Sequence, residues 1–168
     1  MGLSSEAFKK IDRELTKFPP DQRQSAIMAA LTIAQMEKGW LSTETMEELA
    51  NYVGMPPIAV YEVASFYTMY NLKPTGKFKL TLCTNLPCQL QGAMNCAEHA
   101  KKALGVDFGE TTADGMFTLK EGECFGACGD APVFTVNNHD IRGKITPEQF
   151  DVLTEELRRT SALNLEKA

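Results

Sequence analysis

Apolar residues recur every three or four positions in the first part of the chain, which is the period of an amphipathic helix. The pattern predicts four helices, which cover 5–18, 21–38 and 42–54, with a short fourth one beginning at 56–57. The positions predicted to face inward are Phe8, Ile11, Leu15, Ile27, Leu31, Ala34, Met46, Leu49, Val53, Val60, Val63 and Ala64. The aromatic segment 66–70 that follows is expected to be extended.

The ends of these helices have local signals. Pro19 and Pro20 stop the first helix, and Asp21 is expected to cap the second. Gly39 and Gly54 stand where a glycine usually ends a helix.

The pattern changes after the turn Lys-Pro-Thr-Gly at 73–76. Polar and apolar residues alternate over 77–83, as in a half-buried strand, and this strand delivers Cys83 at its end. A helix is predicted from Pro87 to Leu104. Its apolar face is expected to contain Leu90, Met94, Ala97 and Leu104.

Two further strands are predicted around 117–119 and over 132–136, with a hairpin-turn signal in the Asn-Asn pair at 137–138. A capping box at 146–149 begins a last helix that buries Phe150, Leu153 and Leu157. The tail after Arg159 is expected to be frayed. The order β-α-β-β-α indicates a small α/β module compatible with a thioredoxin-like sheet. The predicted domains are therefore a helical bundle over 1–75 and an α/β module over 76–168.

Composition narrows the class of function. The chain has 168 residues, a net charge of −5 and no apolar run of the roughly twenty residues that span a bilayer. Its N-terminus lacks the apolar core of a signal peptide, so a cytoplasmic protein is expected. Two short helices around Gly54 superficially resemble a helix-turn-helix, but 39–72 contains no Lys or Arg to contact phosphates. The charge pattern therefore disfavours a nucleic-acid partner.

Four of the five cysteines form two short pairs, Cys83-x4-Cys88 and Cys124-x3-Cys128. Both intervals contain turn-forming residues, so each pair of thiols can converge on one centre. In a reducing compartment such pairs favour metal binding or redox chemistry over a structural disulfide. Cys96 is expected to be a spare buried thiol.

Three kinds of site fit these thiols to different degrees. A thioredoxin-type disulfide normally needs C-x2-C, and neither pair has that spacing. Structural zinc favours small domains that lack a core of their own, whereas this module has strands and helices. A 2Fe–2S cluster needs two thiolates on each iron, which suits two wide pairs. The plant-ferredoxin spacing is absent. A Rieske site would need two histidine ligands, and His99 and His139 lie away from both cysteine pairs.

The flanks of both pairs carry a family resemblance. The segment Cys-Thr-Asn-Leu-Pro-Cys at 83–88 and the segment Glu-Gly-Glu-Cys-Phe-Gly-Ala-Cys-Gly-Asp-Ala-Pro at 121–132 resemble the thioredoxin-like 2Fe–2S subunit of NADH:quinone oxidoreductase, respiratory complex I. Gly-Trp-Leu at 39–41 and Val-Ala-Ser-Phe-Tyr-Thr-Met-Tyr at 63–70 resemble it too. The likeness extends over about 5–158.

This resemblance implies a fold, a cofactor and a partner. The implied fold is an N-terminal helical bundle followed by a thioredoxin-like 2Fe–2S ferredoxin domain. The implied ligands of one 2Fe–2S cluster are Cys83, Cys88, Cys124 and Cys128. The implied partners are the flavoprotein subunit that binds NADH and FMN and other subunits of the peripheral arm. The acidic N-terminal helices are expected to serve as docking surface and anchor, with the cysteine loops facing the flavoprotein.

The resemblance also implies a role and a place. The chain would exchange single electrons with the FMN of its partner, as a subunit of an NADH dehydrogenase without an NADH or FMN site of its own. It would lie in the cytoplasm, peripheral to the bacterial inner membrane through the larger complex. The alternative is the equivalent subunit of an NAD-linked hydrogenase or formate dehydrogenase, and a structural zinc module is the more distant one.

Charges and backbone donors near the cysteines predict how the cluster would be tuned. Backbone N–H groups of Gly122, Gly126, Gly129 and the 84–86 turn are the expected donors to the thiolates. The intervals 84–95 and 122–139 contain no Lys or Arg, whereas the second pair has acids beside it. This asymmetry predicts a low reduction potential, on the order of −300 to −400 mV.

Overall fold

The computed structural model describes residues 2–165, and the chain divides into two compact units, Met1–Pro74 and Thr75–Ala168. The described part of the first unit contains α1 (Ser5–Leu15), a 3-10 helix (Pro20–Ala26), α2 (Ile27–Lys38), α3 (Thr43–Val53) and α4 (Pro57–Phe66). That of the second contains β1 (Phe78–Cys83), α5 (Leu86–Leu90), α6 (Ala93–Leu104), β2 (Phe117–Gly122), a 3-10 turn (Cys128–Asp130), β3 (Phe134–Val136), β4 (Asp140–Arg142) and α7 (Pro147–Leu165). Within 2–165 no helix combines the length and the apolar character that crossing a membrane requires.

The helices of the first unit bury the apolar positions that the sequence predicts to face inward. The predicted inward positions are buried, except that Phe8 and Val63 are only partly buried against the same core. Gly39 and Gly54 end α2 and α3 in the left-handed conformation, with φ of 81° and 86°. The hydroxyl of Ser42 caps α3 by accepting the Thr45 backbone N–H at 3.2 Å. These local signals were therefore sufficient to predict the buried positions of the helices and the ends of α2 and α3.

The predicted boundaries were wrong before α2. The first helix ends at Leu15 rather than at residue 18. Asp21 does not cap an α-helix, because it lies in the 3-10 helix that precedes α2, where no side chain caps the N-terminus. Gln22 has φ −120° and ψ 30°, which interrupts helical geometry there, and the α-helix begins at Ile27.

Segment 66–70 was predicted to be extended and instead forms a turn. Phe66 is the last residue of α4, and the Tyr70 backbone N–H donates to the Tyr67 carbonyl at 3.1 Å. The Tyr70 side chain is buried, and its hydroxyl donates to the Met28 carbonyl at 2.8 Å. Burial of this aromatic ring draws the chain back onto α2, which no local pattern reveals.

The second unit is built on a four-stranded mixed sheet with strand order β2-β1-β3-β4. The strands β1 and β2 are parallel, and β3 is antiparallel to both β1 and β4. β2 extends to Gly122, three residues beyond the predicted strand, and β4 was not predicted. The Asn137-Asn138 turn is confirmed, since both residues have positive φ, as a tight hairpin of this kind requires.

One face of the sheet forms the core of the second unit. Buried residues of three strands alternate onto this face, and α6 and α7 contribute apolar residues to the same cluster. The strand residues are Leu80, Leu82, Phe117, Leu119, Phe134 and Val136. The opposite face contains Lys79, Thr81, Thr118 and Thr135, which are buried as well.

The helix predicted over 87–104 is two helices. Gly92, with φ 90°, separates α5 from α6 and rotates the apolar stripe. The buried face of α6 consists of Ala93, Cys96, Ala97 and Ala100. The predicted face was therefore wrong at Leu90 and Met94, whose side chains are exposed. Small side chains at the buried positions let α6 approach the sheet closely.

The last helix confirms its predicted start and extends past its predicted end. The Thr146 backbone N–H donates to the Gln149 side chain at 3.0 Å, and the Gln149 N–H donates back to the Thr146 hydroxyl at 3.3 Å. α7 then continues to Leu165, so the chain is helical and not frayed over 160–165, while 166–168 lie outside the described residues. Ser161 is buried there and accepts a hydrogen bond from the Lys77 ammonium at 2.7 Å.

Candidate metal centre

The first cysteine pair lies where β1 passes into α5. Cys83 is the last residue of β1, and its backbone N–H donates to the Val133 carbonyl at 2.9 Å. Cys88 follows in the middle of α5, after Pro87 in the first turn of that helix. Both side chains are buried, at 2% and 1% exposure. Strand pairing and burial therefore hold this pair as part of the core.

The second pair lies in the loop after β2. Gly126 has φ 74°, a conformation that favours glycine, and it turns the loop between Cys124 and Cys128. The two sulfur atoms are 3.4 Å apart, and both side chains are exposed. The Gly126 backbone N–H donates to the Cys124 sulfur at 3.4 Å. A local turn, and not core packing, brings these two thiols together.

Sheet topology places the two pairs at the same edge. The strands β1 and β2 are parallel, and Cys83 is opposite Gly122 in the register, so both strands end together. Cys83 contributes to the raised pKa of Cys128, and Cys128 contributes to that of Cys88, so the two pairs lie within electrostatic range of each other. The structure thus places both of the pairs that the sequence singled out at one edge of the sheet.

The thiols perturb one another and respond to their surroundings. Burial, followed by a hydrogen bond with the Cys83 thiol, raises the pKa of Cys88 to about 11. The hydrogen bond with Cys124, followed by desolvation, raises the pKa of Cys128. The Gly126 N–H, followed by Cys128, lowers the pKa of Cys124. Metal binding requires the thiolate form, and a bound cation would compensate the charge of thiolates held this close to one another.

The backbone donors around the thiols agree only in part with prediction. The donor from Gly126 is confirmed, whereas the Thr84 N–H donates to the Gly122 carbonyl at 3.0 Å and not to sulfur. The Val133 N–H donates to the Cys88 sulfur and was missed. Val133 reaches this thiol across the sheet, and no nearby motif in the sequence points to it.

Gly122 has a steric role. A Cβ atom there would lie 2.7 Å from Cγ2 of Thr81 and 2.8 Å from Cζ of Phe125. Any side chain would therefore force apart the end of the sheet and the loop of the second pair. At Gly129, in contrast, a Cβ atom would meet nothing within 4 Å.

Acidic side chains surround the site, and each has a defined partner. Glu121 accepts the Thr84 hydroxyl at 2.7 Å, and Glu123 accepts the Asn85 amide at 2.9 Å. These bonds link the loops of the two pairs. Asp130 contacts the ammonium of Lys144 at 3.4 Å, so a cation from outside the cysteine segments lies near the second pair.

The segment after β4 supports the loop of the second pair. The Lys144 backbone N–H donates to the Asp130 carbonyl at 2.6 Å. A Cβ atom on Gly143 would lie 2.5 Å from Cβ of Asp130 and 2.8 Å from its carbonyl oxygen. The absence of a side chain at Gly143 thus lets this segment contact the loop two residues after Cys128. Sequence reasoning missed this role.

The remaining thiol and the histidines lie apart from the two pairs. Cys96 is buried on α6 and donates its S–H to the Ile145 carbonyl at 2.9 Å, which confirms the predicted spare thiol. His99 is half-buried with its ring 2.8 Å from Asp151, and His139 is exposed in the β3–β4 turn. Neither histidine is placed beside a cysteine pair.

The donor set fits a 2Fe–2S cluster. Such a cluster requires two thiolates on each of its irons, which two pairs at one sheet edge supply. Among residues 2–165, no group of three or more His, Cys, Asp or Glu side chains is arranged around a single metal position.

Two thiolate pairs at the end of a mixed sheet define a class, the iron–sulfur proteins whose cluster is held between loops of an α/β domain. The model of one family, thioredoxin-like [2Fe–2S] ferredoxin, matches residues 11–158. The chain belongs to that family.

Curated relatives resemble the chain over most of its length. It is 42% identical over 145 residues to an NADH-quinone oxidoreductase subunit of Rickettsia bellii, covering 86% of each protein. It is 38% identical over 158 residues to NADH-quinone oxidoreductase subunit 2 of Thermus thermophilus, covering 94% of this chain and 87% of the relative.

A solved structure shares the fold. An NAD+-reducing [NiFe]-hydrogenase in the H2-reduced state matches with a TM-score of 0.66 and 20% identity. The match covers 77% of this chain but only 22% of that one, so the chain corresponds to less than a quarter of the hydrogenase polypeptide. At this identity the likeness shows the fold alone.

Proposed function

We propose that this chain is an electron-transfer subunit of an NADH:quinone oxidoreductase and carries one 2Fe–2S cluster. The observation that carries the proposal is the meeting of two cysteine pairs at one sheet edge. It occurs in a chain 42% identical to an NADH-quinone oxidoreductase subunit over 86% of both lengths. The proposed ligands are the thiolates of Cys83, Cys88, Cys124 and Cys128.

When bound, a 2Fe–2S cluster supplies one-electron chemistry, which a carrier beside a flavin requires. The chain itself contributes the thiolates and the hydrogen bonds to them. The Gly126 and Val133 N–H groups donate to sulfur and stabilise its negative charge. Burial of the first pair keeps those thiolates away from water.

Nearby acids set the expected potential. Glu121 and Glu123 lie beside the thiols. The short loops that separate the cysteines of each pair contain no Lys or Arg. Negative charge there disfavours addition of an electron, and two cations, Lys144 beside Asp130 and Lys101 within electrostatic range of Glu121, offset part of it. We expect a reduction potential on the order of −300 to −400 mV.

The proposed partner is a flavoprotein subunit that binds NADH and FMN, together with other subunits of a peripheral arm. No Gly-rich nucleotide-binding loop occurs in the sequence, so both cofactors are assigned to the partner. The chain would act in the cytoplasm, peripheral to the bacterial inner membrane through the larger complex. It would be part of an oxidoreductase and not a complete enzyme.

The other assembly considered is an NAD-linked hydrogenase or formate dehydrogenase. Relatives named as quinone oxidoreductase subunits are 38–42% identical over nearly the whole chain. The hydrogenase likeness is 20% identical and concerns the fold only. The sequence relatives therefore support the quinone-linked assembly. The subunits that co-purify with the chain distinguish the two assemblies.

The test is an anaerobic UV–visible and EPR spectrum of the purified chain, with iron, sulfide and zinc assays. About two irons and two sulfides per chain are expected, with a rhombic EPR signal that appears only after dithionite reduction. A colourless protein with one zinc would refute the electron-transfer role. A potential above zero would refute the charge argument while leaving the cluster in place.

A further inference from the structure

The second cysteine pair is the part of the candidate metal centre that a solute can reach. Cys124 and Cys128 are exposed, whereas the side chains of Cys83 and Cys88 are only 2% and 1% exposed. Thiol–disulfide exchange requires the incoming disulfide to reach the attacking sulfur. Access therefore divides the four thiols into a reactive pair and a protected pair.

The two exposed sulfur atoms are close to bonding distance. They lie 3.4 Å apart, and a disulfide needs about 2.05 Å between them, so a movement of about 1.4 Å would close the gap. The pair lacks the C-x2-C spacing of a thioredoxin-type disulfide. The turn at Gly126 nevertheless places the two sulfur atoms side by side.

The loop of the second pair can make this movement without disturbing the core. Residues 123–127 belong to no helix or strand. A Cβ atom at Gly126 or Gly129 would meet nothing within 4 Å, so there is space beside the backbone at both positions. Cys83 and Cys88, in contrast, are fixed at the end of β1 and within α5. Of the two pairs, the second can therefore close its gap by a movement of a surface loop.

One of the two exposed thiols has a backbone donor. The Gly126 N–H donates to the Cys124 sulfur at 3.4 Å, and a donor in this position stabilises the thiolate, which is the nucleophile in exchange. The acid beside it, Glu123, accepts a hydrogen bond from the Asn85 amide at 2.9 Å. Cys124 is thus suited to attack first, and Cys128 lies where the resolving thiol of an exchange is needed.

We propose that, before the chain carries a cluster, Cys124 and Cys128 form a reversible disulfide by exchange with a low-molecular-weight disulfide, and that this bond blocks cluster loading. The Cys124 thiolate attacks one sulfur of the small disulfide, forms a mixed disulfide and releases one small thiolate. The Cys128 thiolate then attacks the Cys124 sulfur, forms the protein disulfide and releases the second small thiolate. The protein thiols lose two electrons and two protons, and the small disulfide gains both.

The exchange and its effect on loading have different grounds. The disulfide follows from the access and the geometry of the second pair alone. Its effect on loading rests on the proposed function, in which both cysteines are ligands, because only a thiolate binds metal. Reducing conditions keep the pair available to the cluster, and oxidising conditions withdraw two of the four proposed ligands.

The experiment uses the full-length, cluster-free chain, which is reduced and desalted under anaerobic conditions and then treated with oxidised glutathione. Alkylation and mass spectrometry count and map the remaining thiols. We expect two of the five thiols to be lost and the disulfide to map to Cys124 and Cys128. The control is Cys96→Ala, which should form the same disulfide at the wild-type rate, because Cys96 is buried on α6 outside both pairs.

Two further variants test the order of attack. Cys128→Ser lacks the resolving thiol and should accumulate a chain with one glutathione bound to Cys124. Cys124→Ser should react with glutathione about tenfold more slowly, because its remaining exposed thiol lacks the Gly126 donor. Equal rates of adduct formation in these two variants would overturn the assignment of Cys124 as the attacking thiol.

A second measurement tests the effect on loading. The oxidised and the reduced chain are each mixed with a purified 2Fe–2S scaffold protein in the absence of added thiol, and the iron bound to the chain is assayed over time. Uptake by the oxidised chain should be about tenfold slower. Treatment with dithiothreitol, followed by desalting, should restore the rate of the reduced chain.

Three results would overturn the proposal. The first is a wild-type chain that keeps all five thiols in oxidised glutathione. The second is a disulfide that contains Cys83 or Cys88, since access would then not decide which thiols react. The third is equal uptake by the oxidised and the reduced chain, since the disulfide would then not control loading. A fully reduced chain that takes up no cluster would instead refute the proposed function, while the thiol count would still test the disulfide.

Discussion

The two cysteine pairs converge on one sheet edge but are held in different ways. Cys83 and Cys88 are almost wholly buried and belong to the core cluster of the second unit. Cys124 and Cys128 are exposed, and their loop is shaped by the Gly126 turn. One pair is thus fixed by the same interactions that fold the unit, and the other by a few contacts to a loop.

This difference predicts that substitutions in the two pairs affect stability and metal binding differently. A change at the first pair removes buried contacts and therefore affects both stability and metal binding. A change at the second pair removes a surface thiol and affects metal binding with little cost to the fold. The loop also depends on the distant residues Gly143 and Lys144, which contact Asp130. The second pair can therefore be disturbed without any change between 121 and 132.

The largest expected effects follow from removing one thiol of each pair. Cys88→Ala and Cys124→Ala should both lose most of the approximately two irons per chain, because each removes a proposed ligand. In the cluster-free proteins, Cys88→Ala should also lower the free energy of unfolding by about 1–3 kcal/mol. It leaves a small cavity and an unsatisfied Val133 N–H. Cys124→Ala should change that free energy by less than about 0.5 kcal/mol.

Iron assays and urea unfolding under reducing conditions measure both quantities. Cys96→Ala is the control for iron, since Cys96 is buried but bonded to the Ile145 carbonyl away from the site. Equal losses of stability in Cys88→Ala and Cys124→Ala would show that the two pairs are held alike. Full iron content in either of these variants would remove that cysteine from the ligand set.

A smaller effect is expected from adding one methyl group behind the second pair. Gly143→Ala should push Asp130 and the adjacent loop outward, at a cost of about 1–3 kcal/mol for the overpacked contact. Iron content should fall, or the EPR g-values should shift. Gly129→Ala is the matched control: it adds the same methyl group next to Cys128, where no atom lies within 4 Å.

The two variants compare a residue next to Cys128 in the sequence, Gly129, with a distant residue that contacts the same loop, Gly143. If Gly129→Ala disturbs the cluster more than Gly143→Ala does, the segment after β4 does not support the loop. If neither variant alters the spectrum, the loop adapts freely. If Gly143→Ala alone alters it, the second pair depends on a residue fifteen positions away from Cys128.

The features that sequence alone predicted are those with local causes. The spacing of each cysteine pair, the glycines that end α2 and α3, and the capping box of α7 lie within a few residues of the structure they determine. The four thiols were singled out in this way. The Val133 donor and the Gly143 contact arise from strand order and could not be predicted from spacing. The apolar face of α6 was mistaken because Gly92 breaks the helix and resets its phase.

The smallest expected effect concerns β1, the strand that ends at Cys83 of the first pair. Lys79 precedes Cys83 by four residues on β1 and is only 3% exposed. Burial, followed by the charge of Lys120, lowers the pKa of Lys79 to about 8 from 10.5. Between these two values the unfolded chain binds more protons than the folded chain, so stability should rise with pH. No comparable buried cation precedes the second pair in the described part of the chain.

We therefore expect the wild type to gain stability relative to Lys79→Met as pH rises from about 8 toward 10.5. The gain should be about 1 kcal/mol, less than the pKa difference would give at about 1.36 kcal/mol per unit, because water screens part of the charge. Thermal unfolding midpoints at pH 7, 8, 9 and 10 measure it as a difference between the two proteins, which cancels the titration of groups that both contain. The difference should change by roughly 2–4 °C across this range. A difference that stays constant with pH would mean that the Lys79 ammonium keeps its proton in the folded state, and that the strand leading to the first pair tolerates a buried charge.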